Sequence, residues 1–289
     1  MSMLSAAFPA AAAAVAPTYG SNGYVFWQPF LSDTGLAFLQ QQVDRVLTMT
    51  HESISTEWIM NIHLLGETWL LDLAMDTHLL DAVQEFCGSN ITLLQTHLFC
   101  KPRGCLPTPW HQDGSSDTDI PLATVWITLD DLDAPSSGAL VVLPGQHQLN
   151  LLPSEASDHF QFDRVLPTSY LSQHKAFRYA LHAGDAAVHH QWLPHASDTN
   201  TMLPFRRVIV LRYMATSVLE AEGVALWRRT SGNALAPVDP VDEDKDEEGE
   251  LYPDFRAANV YFEGRNICLR GKYVTTNPSN HALVVQVCS

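Results

Sequence analysis

The feature that most constrains the fold is a change of hydrophobic pattern near residue 91. Upstream of it, apolar residues recur at helical spacing between residues 36 and 47, and two further helices are expected over 55–75 and 78–87. Downstream, short β-rich runs alternate with clusters of Pro, Gly and Asp, and these runs cover 91–100, 122–130, 139–143, 184–190 and 206–214. Helices followed by many short strands predict an α+β fold whose second part is a β-sandwich or a barrel.

The two ends of the chain differ in composition from its middle. Residues 1–23 are rich in Ala, Pro, Gly and Ser, which predicts a flexible N-terminal tail, and we expect residues 24–289 to form a single domain. In chain order, that domain is predicted to contain a helical layer over about 32–90, core strands over about 91–215, an acidic loop over 236–252 and C-terminal strands over 257–289. The acidic loop is expected to be solvated, because it lacks the spacing of a calcium-binding EF-hand.

The charge of the chain excludes several classes of partner. Lys and Arg total 16 against 32 Asp and Glu among 289 residues, so the formal net charge is −16. Because such a chain repels phosphate backbones and anionic lipids, we expect no nucleic-acid and no membrane partner. No basic residue precedes Arg45 and no apolar run approaches ~20 residues, so no signal, transit, peroxisomal or transmembrane segment is expected. These features predict a cytoplasmic protein.

Residues able to bind a metal first occur together in the run Trp110-His111-Gln112-Asp113-Gly114. The five cysteines are scattered without a CxxC pair, which argues against a thiolate zinc site. Residues two apart in a strand point to the same face, so His111 and Asp113 can project together. An imidazole and a carboxylate supply two thirds of a mononuclear metal site, although this short pattern alone also occurs by chance.

A second group of polar residues follows about 80 residues later. Gly184-Asp185 opens a short run that contains His189, His190 and His195, and Arg206 begins the next β-rich run. Any of the three histidines can complete a facial triad of two histidines and one carboxylate, which holds iron(II) and leaves three coordination positions open. The guanidinium of Arg206 has the planar geometry that binds the carboxylate of a 2-oxo acid co-substrate.

Further motifs surround these residues, and together they resemble one family. Beyond His111-Gln112-Asp113, they are Val125-Trp126-Ile127, residues 129–132 and 138–147, Gly184-Asp185, His195-Ala196-Ser197 and Phe205-Arg206. The pattern, over roughly residues 20–215, resembles the phytanoyl-CoA dioxygenase family of iron(II)/2-oxoglutarate-dependent oxygenases. The resemblance implies a double-stranded β-helix core, also called a jelly roll or cupin-like fold, with an N-terminal helical layer. It also implies oxidation, typically hydroxylation, of a C–H bond in a small organic substrate, with release of succinate and CO2.

The resemblance assigns roles to individual residues. The implied metal ligands are His111, Asp113 and His195, with His189 or His190 as less favoured third ligands. The implied co-substrate residues are Arg206 for the distal carboxylate of 2-oxoglutarate, Ser197 for the same group, Trp126 beside the co-substrate and Lys101 near the site. The implied cofactors are Fe(II), 2-oxoglutarate as co-substrate and O2, and ascorbate is expected to support activity.

For four of these positions a purely structural role stays open. Trp126 can be an ordinary core residue, and Ser197 can be a turn residue that bonds its own backbone. Lys101 can be a solvated lysine. Arg207 is expected on the opposite face of its strand from Arg206, so it is the less suitable partner for a co-substrate.

Other functions are compatible with the same ligands. A zinc or manganese hydrolase or isomerase, or a non-catalytic ligand-binding module, can use the same three residues. Halogenating members of the oxygenase class have a small residue in place of the carboxylate, so the presence of Asp113 favours hydroxylation or a related oxidation. Neither a peroxisomal location nor a CoA thioester substrate is expected. Substrate choice is predicted to lie in the loops 103–110, 114–121, 146–180 and 216–256.

Overall fold

A computed structural model describes residues 17–50, 55–114, 119–159, 162–222, 226–229, 235–237 and 266–270. The predicted tail up to residue 16, most of the predicted acidic loop and the predicted C-terminal strands other than 266–270 lie outside the described residues. No described helix is both long and apolar enough to cross a membrane.

Six α-helices are described, most of them in the first third of the chain. They are α1 (Pro17–Asn22), α2 (Asp33–Met49), α3 (Trp69–Ala74), α4 (Thr77–Cys87), α5 (Thr168–Leu171) and α6 (Thr216–Glu222). Ser32 caps α2, because its side chain accepts a hydrogen bond from the backbone N–H of Gly35. Asp76 caps α4 in the same way. Short 3-10 helices span Ile62–Leu65 and Gln146–Leu149.

The structure differs from the predicted helical layer at two places. Residues 17–22 of the predicted flexible tail form α1, whose Tyr19 packs edge-on against Phe86 with ring centroids 4.7 Å apart. Residues 55–75 were expected to form one helix, but Ile59–Met60 forms a strand. Gly66 then adopts a φ of 98°, which ends the following 3-10 helix before α3 begins.

The strands form two main sheets. In chain order they are β1 (Tyr24–Trp27), β2 (Ile59–Met60), β3 (Ile91–Leu98), β4 (Lys101–Pro102), β5 (Thr108–His111), β6 (Leu122–Thr128), β7 (Leu140–Val142), β8 (Glu155–His159), β9 (Phe162–Val165), β10 (Phe177–Arg178), β11 (Ala186–His189), β12 (His195–Ser197), β13 (Phe205–Arg206), β14 (Val208–Ala215), β15 (Leu226–Arg229), β16 (Leu235–Pro237) and β17 (Asn266–Arg270). The larger sheet has the order β1-β11-β6-β14-β3-β17-β15-β16, with β2 beside β3, and the smaller sheet has the order β10-β7-β12-β5. Two short pairs, β4–β13 and β8–β9, complete the jelly roll.

Alternation along the central strands gives the larger sheet two apolar faces. Val125 of β6 and Ile209 of β14 pack in one cluster with Leu39 of α2 and with other residues of the helical layer. Trp126 and Val210, which are Cα partners in neighbouring strands, belong to a second cluster with residues of the smaller sheet. The helices therefore cover one face of the larger sheet, and the other face meets the smaller sheet. This is the predicted α+β arrangement with an N-terminal helical layer.

Candidate metal and co-substrate site

Strand pairing brings His111, Asp113 and His195 together. His111 is the last residue of β5, and His195, the first residue of β12, lies directly opposite it in the antiparallel pair. The two imidazole centroids are 4.1 Å apart. Asp113 follows in the bend just after β5 rather than in the strand itself, yet its carboxylate turns toward both rings. One potential ligand atom from each of the three residues lies within 4.8 Å of the others.

Each imidazole is oriented by a backbone carbonyl. The Nδ1 atom of His111 lies 2.8 Å from the carbonyl oxygen of Pro109, and that of His195 lies 2.9 Å from the carbonyl oxygen of Leu193. A carbonyl can only accept, so each Nδ1 carries the proton and each Nε2 keeps a free lone pair. The Nε2 atoms lie 3.7 Å and 3.9 Å from Asp113 Oδ1, so both lone pairs are close to the same carboxylate.

The charge states of the three residues suit metal ligation. Burial lowers the pKa of His111 and holds that of His195 well below its usual range, so both rings are neutral at neutral pH. Burial raises the pKa of Asp113, but the guanidinium of Arg212 opposes burial, and this pKa is held well below its usual range. The set thus offers two neutral nitrogen donors and one carboxylate.

This donor set fits iron(II). Two imidazoles and one carboxylate on one side of a cavity are the ligands of a facial triad, which leaves three positions for exogenous molecules. Asp113 Oδ2 pairs with Arg212 Nη2 at 3.0 Å, and Asp113 Oδ1 faces the Nε2 atoms of His111 and His195. A carboxylate oxygen that faces two imidazole lone pairs is suited to a cation, because all three atoms are acceptors and none can donate to another.

Arg206 is buried without a polar partner among the described residues. Its side chain is 0% exposed, and none of its three nitrogen atoms forms a hydrogen bond with any described residue. Its guanidinium carbon lies 5.0 Å from the ring centroid of Phe99 and 5.6 Å from that of Trp126, and both rings line the cavity beside the triad. Burial lowers the pKa of Arg206 to about 10, so the group stays charged at neutral pH. A buried, uncompensated guanidinium of this kind is suited to an anionic ligand.

Trp126 and Ser197 both line the cavity. Trp126 is buried in β6, where it lies beside Arg206 and belongs to the core between the sheets, so it is a core residue that also lines the cavity. Ser197 lies in β12 rather than in a turn, and its Oγ donates a hydrogen bond to Thr108 Oγ1 at 2.8 Å. The alternative of a turn residue bonded to its own backbone is therefore wrong for Ser197.

Lys101 is buried, which excludes the alternative of a solvated lysine. Its side chain is 0% exposed, and Nζ donates to the carbonyl oxygen of Leu106 at 2.8 Å and lies 3.5 Å from Glu57 Oε2. It is not among the residues that line the described cavity. Its backbone is paired with that of Arg206 between β4 and β13, so Lys101 adjoins the co-substrate residue through the sheet.

The two alternative third ligands have different surroundings. His189 lines the cavity, and its Nε2 lies 3.7 Å from Asp113 Oδ2. It is not one of the three residues whose ligand atoms all lie within 4.8 Å of one another. His190 faces away, with Nε2 at 3.3 Å from Asp119 Oδ1 and Nδ1 accepting from the backbone N–H of Trp192. Of the three histidines, His195 is the one that the structure groups with His111 and Asp113.

Arg207 points away from Arg206, as the alternation of a strand requires. Its backbone N–H donates to Asp130 Oδ2 at 2.6 Å, and its guanidinium donates to Asp130 and also to Asp44 at 2.9 Å. Both acidic partners lie outside the cavity lining. Arg207 is therefore a structural ion-pair residue of this fold.

Replacing Asp130 by Ala is expected to destabilise the protein by about 3 kcal/mol, because it leaves a largely buried guanidinium and a backbone N–H without their main acceptor. Urea unfolding of the metal-free protein measures the change. Asp131→Ala is the matched control, since the side chain of Asp131 is 67% exposed, and it is expected to cost less than about 1 kcal/mol. Binding of 2-oxoglutarate should be the same in both variants, and a selective loss in Asp130→Ala would contradict the structural role.

A cavity of 510 Å³ lies beside the triad. Its polar lining includes three residues that sequence reasoning did not identify, namely Gln95, His97 and Arg212. A signal for Arg212 exists in the sequence, because alternation along β14 places it on the same face as Val210. No comparable motif marks Gln95 or His97, which face the cavity from β3.

Comparisons with known sequences place the chain among oxygenases. A family model described as phytanoyl-CoA dioxygenase (PhyH) matches residues 19–208, about two thirds of the chain. The probable alpha-ketoglutarate-dependent hypophosphite dioxygenase of Stutzerimonas stutzeri is 26% identical over 149 residues, which are 50% of this chain and 52% of that protein. The chain thus spans about half the length of this curated relative.

Solved structures show the same fold. The carbocyclase SnoK from nogalamycin biosynthesis matches with a TM-score of 0.58 and 19% identity, over 69% of this chain and 82% of that one. The epimerase SnoN, in complex with Fe3+, alpha ketoglutarate and nogalamycin RO, matches with a TM-score of 0.57 and 21% identity, over 69% of this chain and 81% of that one. EctD from S. alaskensis, with 2-oxoglutarate and 5-hydroxyectoine, matches with a TM-score of 0.56 and 20% identity, over 69% of this chain and 74% of that one. At these identities the similarity shows the fold, and the predicted jelly roll is confirmed.

Proposed function

The chain belongs to the phytanoyl-CoA dioxygenase family, and from this premise we propose that it is an iron(II)- and 2-oxoglutarate-dependent dioxygenase. His111, Asp113 and His195 would hold a ferrous ion, which would supply O2 activation coupled to the conversion of 2-oxoglutarate to succinate and CO2, with the second oxygen atom entering a substrate C–H bond. The observation that carries the proposal is the pairing of two features around one cavity. These are the group of His111, Asp113 and His195, and the buried guanidinium of Arg206 without a described partner.

The three ligands have separate tasks in this proposal. His111 and His195 present Nε2 lone pairs, because backbone carbonyls hold the proton on each Nδ1. Asp113 supplies the negative charge and stays ionised, as its lowered pKa requires. Neutral imidazoles and a single carboxylate leave a net positive charge on a bound divalent ion, which favours chelation of an anionic 2-oxo acid.

The co-substrate residues bind and orient 2-oxoglutarate. Arg206 pairs with the distal carboxylate, whose desolvation is offset by a guanidinium that is already buried. Trp126 forms one wall beside that pair, and Ser197 turns its O–H from Thr108 Oγ1 to the same carboxylate when the co-substrate binds. Lys101 supports Arg206 through the β4–β13 pair, and it does not contact the co-substrate in this proposal.

The apolar walls keep the site dry. Trp58, Phe99, Phe162 and Leu140 line the cavity beside the triad, so few water molecules compete for the open metal positions. The primary substrate is a small molecule that enters this cavity. Relatives and neighbours act on diverse molecules, among them hypophosphite and nogalamycin-type compounds by their names, so the choice of substrate depends on this chain's own lining residues.

The purified full-length chain is expected to form succinate from 2-oxoglutarate only when Fe(II) and O2 are both supplied, and ascorbate should prolong turnover. Succinate is measured by mass spectrometry after incubation with a small-molecule extract, and incorporation of label from 18O2 into a product identifies the substrate. Addition of a chelator should remove the activity, and Fe(II) should restore it. Turnover of a substrate that persists under nitrogen or with Zn(II) alone would contradict the proposal and favour a hydrolase or an isomerase.

A further inference from the structure

Arg212 lines the cavity beside the candidate ligands and keeps unused donors. Its Nη2 lies 3.0 Å from Asp113 Oδ2, and its Nη1 donates to Gln95 Oε1 at 3.1 Å. The side chain is 32% exposed, so it is reachable from the open part of the cavity. A guanidinium carries five N–H groups, and these two contacts leave donors for another acceptor.

The guanidinium groups of Arg206 and Arg212 lie at different places around the cavity. They lie six residues apart along β13 and β14, so their Cα atoms are separated by roughly 20 Å at ~3.3 Å per strand residue. Arg206 is enclosed by the rings of Phe99 and Trp126, whereas Arg212 is partly open and beside Asp113. A single co-substrate carboxylate at Arg206 therefore leaves Arg212 available to a second ligand.

The charges around the cavity are unbalanced, although the chain as a whole is strongly acidic. Two guanidinium groups lie near one carboxylate. Arg212 lines the cavity and pairs with Asp113, whereas Arg206 lies just outside the lining, against the rings of Phe99 and Trp126. The other charged lining residues are Asp163 and Arg164, which are exposed and of opposite sign. The sum leaves one positive charge, which an anionic ligand would neutralise.

Binding of the metal ion and of 2-oxoglutarate does not change this net positive charge. When a metal ion is bound, His111 and His195 ligate it through their Nε2 lone pairs, so these imidazoles add no charge. A ferrous ion and a 2-oxoglutarate dianion carry opposite charges of equal size. A cation at Asp113 also competes with Arg212 for the same carboxylate, which frees the guanidinium for another anion.

Much of the remaining wall is apolar. Beside Arg212 and the triad, the aliphatic lining residues are Leu140, Leu151, Leu152, Val165, Leu166 and Val210. A ligand that fills the cavity of 510 Å³ therefore meets the guanidinium of Arg212 and a wall with more apolar than polar surface.

We propose that Arg212 binds a singly charged oxyanion of the primary substrate, so that the substrate is a small molecule with one anionic group and an apolar body. This inference rests on the proposed oxygenase function for the identity of the other ligands. The short distance from Arg212 to Asp113 places the anionic group close to the metal ligands, and it thereby selects which C–H bonds of the apolar body lie near the reacting centre.

The test measures binding of matched probes to the full-length protein loaded with Mn(II), by isothermal titration calorimetry, with and without 2-oxoglutarate. The carboxylate probes are octanoate and benzoate, their neutral matches are octanamide and benzamide, and methylphosphonate represents phosphorus oxyanions. We expect at least one anionic probe to bind about 30-fold more tightly than a neutral molecule of the same size. Preference for methylphosphonate over both carboxylates would identify a phosphorus oxyanion as the group that Arg212 takes.

Variants connect this preference to Arg212. Arg212→Gln should reduce the affinity of the anionic probe to that of its neutral match, and Arg212→Lys should restore a large part of it. Arg164→Gln is the matched control, because Arg164 is a cation of the same cavity whose side chain already bonds Ser154. It should bind the probes like the unchanged protein. All three variants should bind 2-oxoglutarate normally in the absence of a probe.

Three outcomes would overturn the inference: neutral probes that bind as well as the anions, no binding of any anionic probe, or anion binding that survives Arg212→Gln. Failure of the proposed function has a different signature. In that case Mn(II) and 2-oxoglutarate do not bind the unchanged protein together, while the anionic probes still bind the protein without 2-oxoglutarate, and still depend on Arg212.

Discussion

The Asp113→Ala protein is expected to lose its divalent metal site, with affinity for Fe(II) or its substitute Co(II) reduced by at least about 100-fold and succinate formation abolished. Asp113 supplies the one carboxylate of the group, and its removal also leaves the guanidinium of Arg212 uncompensated 3.0 Å from where the carboxylate stood. One net positive charge then opposes the cation, whereas Asp113 and Arg212 together are neutral in the unchanged protein. Equilibrium dialysis under anaerobic conditions measures the affinity.

His111→Ala and His195→Ala should also weaken metal binding strongly, but less than Asp113→Ala, since each removes a neutral ligand and leaves Asp113 in place. The matched control is His190→Ala. His190 is a neighbour of the same β11–β12 connection whose ring pairs with Asp119, so this variant should bind metal normally. Retention of metal in His195→Ala together with its loss in His189→Ala or His190→Ala would show that the third ligand has been assigned wrongly.

Much of the fold follows from periodicity along single strands. The alternation that separates Val125 from Trp126, and Ile209 from Val210, places one set against the helices and the other against the smaller sheet. The same alternation separates Arg206 from Arg207. Such assignments need only the local period of two residues, so they can be made before the strand order is known.

Contacts between distant segments could not be predicted in this way. The buried ammonium of Lys101 lies 3.5 Å from a carboxylate oxygen of Glu57, which belongs to a segment expected to be helical. The helical pattern gave no reason to place this carboxylate beside Lys101. The pair between Arg212 and Asp113 joins β14 to the bend after β5, and neither residue belongs to a motif that contains the other. Sequence motifs and the family resemblance therefore pointed to the candidate ligands and to Arg206, but not to the other polar residues that line the cavity.

Replacing Arg206 by Met is expected to change two properties in opposite directions. The affinity for 2-oxoglutarate should fall by roughly 2–5 kcal/mol, because the distal carboxylate would enter a buried site with no cation to pair with it. The stability of the protein without co-substrate should rise by about 1–4 kcal/mol, because a buried guanidinium without a described polar partner is replaced by an apolar side chain of similar length. Calorimetry with Mn(II) measures the first quantity, and urea unfolding of the metal-free protein measures the second.

The opposite signs make this prediction specific to a ligand-binding role. A residue kept for the fold, as Arg207 is through Asp130, loses stability when it is truncated, and Arg207→Met is therefore the matched control. That variant should be less stable and should bind 2-oxoglutarate normally. An Arg206→Met protein that binds the co-substrate with unchanged affinity would contradict the assignment of Arg206. A marked loss of stability in the same variant would instead indicate that the guanidinium stabilises the fold, and that its lack of a described partner does not reflect a site reserved for an anion.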